Sequence, residues 1–387
     1  MKRTMVVLLV DALGWELART IPGFGDPLPH RRRLETVLGF SSGALPTLFT
    51  GRMPREHGRF LMYRRRCGDS PFRGFGALSA LPRRVRESGT LTRALATLVA
   101  RRGVRGYFNL YEVPRPMLAE FDLAERSDPF APGGFAVPSL WDTLDRRGTR
   151  WSGRNWRTPE AENLAWLAGE LESANGTGGA RRVFFLYTAD FDARLHVEGS
   201  RGAGVRAALQ RYDAWIRARL DRARARGEEL WFYLLSDHGM LDVVATEDVM
   251  ARLRGLGVSW PRDYLAFFDS TLARFWWRTP GARDAVRAAL EGARGRWLTP
   301  AELAGYGADF ADHAYGDDLF LLDPGVLAVP SFMGRSPLAA MHGYDPSHPD
   351  MAALLWSNRP VPESVAHLRD VRGYLESEVT ALGGDAA

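Results

Sequence analysis

Three short apolar runs limit what this chain can fold into. They are Met5–Val10, Val183–Tyr187 and Leu230–Leu235, and each is too short for a buried helix but suits a buried strand. Longer segments with helical apolar spacing, Leu91–Arg102 and Gly204–Arg226, lie between them. Continuously apolar strands that alternate with helices are typical of a parallel sheet covered on both faces. We therefore predict an α/β fold with a largely parallel central sheet and helices on both faces; Val104–Leu110 is predicted as a further strand.

Carboxylates and imidazoles follow these runs at their carboxyl ends, where ligands bind in parallel sheets. The residues concerned are Asp11 after the first run, Asp190, Asp192 and His196 after the second, Asp237 and His238 after the third, and His342 near the C-terminus. This ligand set suits Zn²⁺, Mn²⁺ or Fe. Because it is too large for one tetrahedral ion, we predict two divalent ions about 3.5–4 Å apart, an arrangement that supports in-line phosphoryl displacement.

The segment Ser41–Gly51 is expected to supply a nucleophile. It follows Gly39 and predicts a short helix over Ser41–Thr50 with serines at its N-terminus. Metal coordination lowers the pKa of a serine hydroxyl, and a helix N-terminus adds amide donors for an attacked phosphate. On these grounds either Ser41 or Ser42 is suitable.

The ordered motifs resemble the alkaline phosphatase superfamily, and most of all its nucleotide pyrophosphatase/phosphodiesterase branch. The motifs are Val10-Asp-Ala-Leu-Gly14, Ser41 through Thr50-Gly51 to His57-Gly58, Asp192-x3-His196, Ser236-Asp-His-Gly-Met240 and His342-Gly-Tyr-Asp345. In relatives the nucleophile lies nine residues before the Thr of the Thr-Gly pair, which selects Ser41. The resemblance implies an alkaline phosphatase-like fold with inserted cap segments and a phosphoseryl intermediate.

The resemblance also implies how the two metal ions are held. Asp192, His196 and His342 would bind one ion. Asp11, Asp237 and His238 would bind the other, with Ser41 Oγ as a further ligand and the nucleophile. Zinc is the metal we expect first, with manganese or iron as alternatives. Asp190 competes with Asp192 if both lie on one face of a strand end, but the spacing to His196 favours Asp192.

The sequence departs from the branch at the phosphoryl-binding residue. Relatives carry an Asn three residues after the nucleophile, where this chain has Ala44, and the Arg that sulfatases place one residue further on is Leu45 here. Sulfate ester hydrolysis is therefore not expected. The replacement donor could come from Arg64, Arg65, Arg66, Asn109 or a backbone amide, and we take Asn109 and Arg64 as the candidate substrate-binding residues.

Composition narrows the cellular setting and the partners. A net charge of +5 over 387 residues gives no reason to expect nucleic acid, and a single cysteine, Cys67, excludes an internal disulfide and a cysteine-based zinc site. No apolar run approaches the roughly 20 residues of a membrane span or the 7–15 of a signal peptide. We expect a protein retained in the cytoplasm that acts on a phosphorylated small molecule or nucleotide; the oligomeric state stays open.

We predict one catalytic domain over residues 1–387, with elaborations at about 60–180 and 245–335 that set substrate choice. The expected activity is two-metal hydrolysis of a phosphodiester or pyrophosphate bond. A phosphomonoesterase or phosphotransferase on the same metal pair is one alternative, and a non-catalytic metal-binding relative is another. Phe275–Trp277 is expected to pack in the core, with a nucleobase-stacking wall as the alternative.

Overall fold

The computed structural model of the chain describes residues 3–172 and 182–383. The strands, in chain order, are β1 (Arg3–Val10), β2 (His30–Leu34), β3 (Tyr63–Arg65), β4 (Phe121–Leu123), β5 (Trp151–Arg154), β6 (Arg182–Thr188), β7 (Glu229–Leu235), β8 (Leu241–Asp242), β9 (Ala245–Glu247), β10 (Tyr264–Phe268), β11 (Leu272–Trp277), β12 (Gly295–Trp297), β13 (Asp318–Leu322), β14 (Val326–Ala328), β15 (Ala340–Met341) and β16 (Ala353–Ser357).

The α-helices are α1 (Trp15–Arg19), α2 (Ser41–Thr50), α3 (Pro54–His57), α4 (Arg83–Arg86), α5 (Gly89–Arg101), α6 (Leu140–Arg146), α7 (Glu160–Glu172), α8 (Asp190–Glu198), α9 (Ala203–Ala225), α10 (Val249–Arg252), α11 (Pro280–Ala289), α12 (Pro300–Gly305) and α13 (Leu368–Gly383). Short 3₁₀ helices span Phe75–Ala80, Arg115–Glu120 and Pro349–Met351.

The central sheet has six strands in the order β2-β16-β7-β1-β6-β5. The three predicted apolar runs form its middle: β1 pairs in parallel with β6 on one side and β7 on the other. Strand β5 adds to β6 in parallel, whereas β16 is antiparallel to both β7 and β2. The predicted α/β fold with a largely parallel sheet is therefore confirmed, in a mixed form.

Alternate residues of β1 face opposite sides of the sheet, and helices cover both sides. Val7 and Leu9 pack in one cluster with residues of α2 and α13, such as Leu48 and Leu375. Val6, Leu8 and Val10 pack in another cluster with residues of α7 and α9. This alternation explains why the strand is apolar throughout. Within the described ranges, no helix combines the length and apolar character needed to cross a membrane.

The inserted segments build a second apolar centre beside the sheet. Strands β10, β11, β13 and β12 form an antiparallel sheet in that order. Phe267 and Trp276 of this sheet pack with Phe72, Val99 and Phe121, so the two predicted elaborations share one hydrophobic cluster. The predicted elaboration at about 60–180 is not wholly separate from the central sheet, because β5 is a strand of that sheet. The Phe275–Trp277 segment is β11, and Phe275 and Trp276 are fully buried in this cluster.

The prediction of a strand at Val104–Leu110 is wrong. These residues are irregular because their backbone groups bond to a neighbouring loop instead of a strand. The Arg105 amide donates to the Arg126 carbonyl at 2.8 Å, and the Tyr107 amide donates to Glu125 Oε1 at 2.7 Å. The segment thereby becomes a wall for the space above the central sheet.

We predict that Arg274→Met destabilises the chain by about 3–5 kcal/mol, because it strands a buried carboxylate. Arg274 is fully buried; its Nε donates to Asp269 Oδ2 at 2.8 Å and its Nη1 to the Tyr63 carbonyl at 2.6 Å. As a control, Arg283→Met removes an exposed guanidinium 2.7 Å from Asp318 and should cost less than about 1 kcal/mol. Urea unfolding measures both, and equal losses would contradict the prediction.

Candidate metal centre

The carboxyl ends of β1, β6 and β7 lie side by side. Val10 is level with Thr188 of β6, and Leu9 is level with Leu235 of β7. The Asp11 amide continues this alignment by donating to the Thr188 carbonyl at 3.0 Å. The residues that follow the three strands therefore meet at one edge of the sheet.

A first group of possible metal ligands consists of Asp11, Asp237 and His238. One ligand atom of each lies within 4.8 Å of the others, and all three side chains are buried. His238 Nε2 is 3.5 Å from Asp11 Oδ1 and 3.3 Å from Asp237 Oδ2. The backbone carbonyl of Gly239 lies 3.0 Å from His238 Nδ1, which leaves Nε2 for the carboxylates or a metal.

A second group consists of Asp192, His196 and His342. Asp192 and His196 lie one turn apart on α8, so the helix directs both side chains to the same side. His196 Nε2 is 3.3 Å from Asp192 Oδ2, and His342 Nε2 is 3.6 Å from Asp192 Oδ1. His342 follows β15, and the Ala340 carbonyl of that strand lies 2.9 Å from His196 Nδ1.

The two groups touch through their imidazoles. The rings of His238 and His342 stack with centroids 3.9 Å apart and an angle of 16° between their planes. His342 also lies 5.4 Å, centroid to centroid, from His196. The six side chains thus form one continuous cluster with two ends.

Burial and neighbouring charges shift the pKa values of several side chains in this cluster. Burial, followed by the carboxylates of Asp237 and Asp192, raises the pKa of Asp11 well above its ordinary value. Burial, followed by the neighbouring His238 and His196, lowers the pKa of His342. Burial alone would lower the pKa of His196, but its hydrogen bond to Asp192 and the charge of that carboxylate outweigh burial and raise it.

The cluster fits divalent metal ions. Asp192 Oδ1, Asp237 Oδ2 and His342 Nδ1 are buried and have no hydrogen-bond partner among the described residues. Buried polar atoms without partners are costly, and three carboxylates that converge away from any guanidinium repel one another. Cations between them would remove both penalties, and carboxylate plus imidazole is a ligand set that zinc, manganese and iron accept.

Ser41 is the first residue of α2 and lies against the first ligand group. Its Oγ is 2.9 Å from His238 Nε2 and donates to Asp11 Oδ1 at 3.4 Å. The helix has Phe40 at its N-cap with no side-chain cap, and the Gly43 amide donates to the Phe40 carbonyl at 2.8 Å, so the amides of Ser41 and Ser42 are the ones that stay available to an anion.

Ser42 points elsewhere, as a rotation of about 100° per helical residue requires. Its Oγ donates to the Phe60 carbonyl at 3.2 Å. The same carbonyl explains Gly43, since a Cβ at that position would lie 2.7 Å from it. Ser42 and Gly43 thus seat α2 against the Phe60 loop, with Ser41 facing the ligands.

A cavity of about 350 Å³ opens above Ser41. Aromatic side chains form much of its wall, and sequence reasoning named none of them as a site residue: Tyr107, Tyr111, Phe130, Trp156 and Tyr187. The Tyr187 hydroxyl donates to Asp11 Oδ2 and so fixes the orientation of this possible metal ligand. Its place at the end of β6, directly before the Asp192 motif, was the one sequence signal for this role.

Neither candidate substrate-binding residue lines this cavity among the described residues. Arg64 lies on β3 with its Nη2 3.3 Å from Asp122 Oδ2, and Asn109 Oδ1 accepts the Tyr111 amide at 2.9 Å. Ala44 is buried in α2. Asp190 and Asp192 do not share a face, because they lie on a helix and not on a strand end, and Asp190 is exposed.

Comparison with solved structures extends over nearly the whole chain. Murine ectonucleotide pyrophosphatase/phosphodiesterase 5 superposes with a TM-score of 0.66 at 14% identity, covering 97% of this chain and 95% of that one. An inactive variant of the murine protein in complex with AMP gives 0.65 at 13% identity, covering 98% and 95%. The human protein gives 0.65 at 13% identity, covering 97% and 94%. These matches confirm the alkaline phosphatase-like fold.

Sequence comparison gives the family. No curated protein matches the chain. The profile of one family, described as type I phosphodiesterase/nucleotide pyrophosphatase, matches residues 5–293. This agrees with the predicted resemblance, and the chain belongs to the type I phosphodiesterase/nucleotide pyrophosphatase family.

Proposed function

We propose that this chain hydrolyses phosphodiester or pyrophosphate bonds through a phosphoseryl intermediate on Ser41, with two divalent metal ions, zinc before manganese or iron. Asp192, His196 and His342 would hold one ion; Asp11, Asp237 and His238 would hold the other. The ions would supply Lewis acidity toward the phosphoryl oxygens and activation of the serine hydroxyl. The observation that carries the proposal is the position of Ser41 Oγ against both Asp11 and His238 at the start of a helix.

In this proposal Ser41 carries out the first half of the reaction. Its Oγ would bond to phosphorus while the bond from phosphorus to the leaving oxygen breaks, and the serine proton would leave to solvent. The amides of Ser41 and Ser42 would face the phosphoryl oxygens. In the second half, water would cleave the bond between phosphorus and Ser41 Oγ and restore the hydroxyl. Tyr187 supports both halves by fixing the orientation of Asp11.

The charge of the cavity favours a diester over a monoester. Besides the residues proposed as metal ligands, the described lining contains the carboxylate of Glu125, that of Asp269, which is paired with Arg274, and no guanidinium. A dianionic monoester would need more positive charge than this wall offers, whereas a diester carries a single charge at phosphorus. A non-catalytic role is disfavoured because Ser41 and all six ligand side chains are in place together.

A nucleotide is the substrate type that the wall suits best. Tyr107 and Trp156 line the cavity with an edge-to-face contact of 5.2 Å between ring centroids, and Phe130 stacks on Tyr187 at the same distance. Aromatic faces can stack on a base. The murine relative was captured with AMP, which supports the same assignment.

We propose Tyr111 as the side-chain donor that replaces the one missing at Ala44. Tyr111 lines the cavity, and its hydroxyl lies 3.2 Å from the Tyr107 hydroxyl. Its backbone has φ of 42°, a left-handed conformation that is costly for a bulky residue and is concentrated at functional sites. Asn109 Oδ1 accepts its amide, and buried Arg115 donates to its carbonyl at 2.9 Å. These bonds hold the strained residue in the wall.

Replacing the nucleophile should separate Ser41 from its neighbour. Ser41→Ala removes the covalent route and should lower kcat/KM for bis(p-nitrophenyl) phosphate by about 10³-fold or more. Ser42→Ala removes one hydrogen bond to Phe60. It should lower kcat/KM much less, by the equivalent of roughly 1 kcal/mol in transition-state stabilisation. Metal content is measured for both variants. If Ser42→Ala is the inactive one, Ser42 is the nucleophile; if both stay active, no phosphoseryl intermediate forms.

Tyr111→Phe should lower kcat/KM for the same substrate by about 10²-fold, as expected for loss of one preorganised donor to the phosphoryl group. Metal content should not change, because Tyr111 is not a ligand. The matched variant Tyr107→Phe removes the partner of the Tyr111 hydroxyl but keeps that hydroxyl, and should lose less than about tenfold. Activity of Tyr111→Phe within about twofold of the unmodified enzyme would exclude this role.

A further inference from the structure

One segment carries more net positive charge than the whole chain. Residues 73–105 contain eight arginines and one acidic residue, Glu87, which is a net charge of +7, whereas the net charge of all 387 residues is +5. The rest of the chain is therefore slightly acidic. The segment comprises the 3₁₀ helix Phe75–Ala80, α4 and α5, and we call it the basic hairpin.

The basic hairpin is fixed to the protein on one side. Leu95 and Val99 of α5 are buried in the hydrophobic cluster of the inserted segments. Arg102 Nη1 donates to the Pro71 carbonyl at 2.6 Å and to the Arg73 carbonyl at 2.9 Å, so the two ends of the hairpin meet. Most of its remaining residues are exposed. The hairpin thus presents a fixed surface to solvent.

Most arginines of the basic hairpin have no carboxylate partner. Arg83 Nε lies 2.8 Å from Glu87 Oε1, and Arg73 Nη1 lies 3.5 Å from Asp69 Oδ1. For the other six, residues 3–172 and 182–383 offer no carboxylate within ion-pair distance: they are Arg84, Arg86, Arg93, Arg101, Arg102 and Arg105.

The arginine-rich helix α9 shows the contrast. Four of its arginines pair with carboxylates of α9 itself or of α7: Arg217, Arg219, Arg222 and Arg224. The positive charge of α9 is therefore largely balanced on the surface of the protein, whereas that of the basic hairpin is available to an anionic partner.

Two arginines of the basic hairpin face away from the cavities. Arg83, Arg86 and Arg93 line a neighbouring cavity of about 1050 Å³, and Tyr111 lines both this cavity and the one above Ser41. Arg84 and Arg101 line neither of the two cavities, and both are exposed. Their charge belongs to the outer surface of the hairpin.

Large apolar side chains are exposed among the same arginines. Leu81 is 38% exposed, Val85 45% and Leu98 38%. Seven large apolar side chains are exposed in the described part of the chain, and three of them belong to this short segment. Val85 is adjacent to Arg84, and Leu98 lies one helical turn before Arg101, so apolar and cationic groups are interspersed.

We propose that the basic hairpin docks this protein on a membrane surface that contains anionic phospholipids. The guanidinium groups would bind headgroup phosphates, and the net charge of the hairpin would be attracted to the negative surface. Leu81, Val85 and Leu98 would enter the boundary between headgroups and acyl chains, as apolar side chains flanked by arginines do at interfaces. A nucleic acid would engage the arginines but leave these apolar side chains in water, so lipid fits the surface better.

Cosedimentation of the full chain with sucrose-loaded vesicles at physiological ionic strength tests the docking. Vesicles with equal parts of phosphatidylcholine and phosphatidylserine should bind the chain at least tenfold more tightly than vesicles of phosphatidylcholine alone, about 1.4 kcal/mol. No binding to the mixed vesicles, or equal binding to both kinds, would overturn the proposal. The test does not depend on catalysis or on the proposed function.

A charge variant tests the arginines. Arg84→Ala/Arg101→Ala should weaken binding to the mixed vesicles at least tenfold. The matched control Arg222→Ala/Arg224→Ala removes two exposed arginines of α9 and changes the net charge by the same amount, and its binding should equal that of the unmodified chain. Equal weakening in both variants would show that only net charge matters and would contradict the docking surface.

An apolar variant separates a membrane from other anionic partners. Leu81→Ser/Leu98→Ser should also weaken binding to the mixed vesicles at least tenfold, whereas Val244→Ser/Leu338→Ser, which changes two exposed apolar side chains elsewhere, should not. Because all four positions are exposed, the far-UV circular dichroism should stay unchanged. If the arginine variant weakens binding and Leu81→Ser/Leu98→Ser does not, the membrane proposal is overturned, and a single-stranded oligonucleotide is the probe that identifies a nucleic acid partner.

Discussion

The structure depends on the convergence of buried carboxylates at one edge of the central sheet. Parallel pairing of β1 with β6 and β7 ends all three strands at the same level, and this brings Asp11, Asp192 and Asp237 together. Buried like charges oppose folding unless a counter-charge is present. Metal ions between the carboxylates would turn this penalty into a binding site and would give partners to Asp192 Oδ1 and Asp237 Oδ2, which have none among the described residues.

The inserted segments and the central sheet contribute different parts of the site. The sheet edge positions the ligands and Ser41, whereas the insertions build the walls around the substrate and share their own apolar cluster. Tyr111 belongs to these walls: Asn109 and Arg115 hold its strained backbone, and it lines both the cavity above Ser41 and the neighbouring cavity. In the proposed function, the geometry of the parallel strands would set the chemistry, and the loops that pack on them would set substrate choice.

The sequence predicted those parts that follow from local pattern. Continuous apolar runs permit few alternatives to buried parallel strands, and the residues after them must then meet. The remainder depends on contacts between distant segments. Val104–Leu110 is apolar enough for a strand, but its backbone partners are Arg126 and Glu125. Arg64 seemed available to substrate, yet it pairs with Asp122, 58 residues away. No local pattern predicts that Tyr111 reaches the catalytic cavity.

The measurement that tests the central claim most directly is a comparison of kcat/KM for bis(p-nitrophenyl) phosphate and p-nitrophenyl phosphate on protein loaded with zinc. Metal content is determined on the same sample, and about two ions per chain are expected. The account predicts faster turnover of the diester, because the lining of the cavity contains no guanidinium among the described residues that could meet a second phosphate charge. A monoester preference of tenfold or more, about 1.4 kcal/mol in transition-state stabilisation, would contradict it.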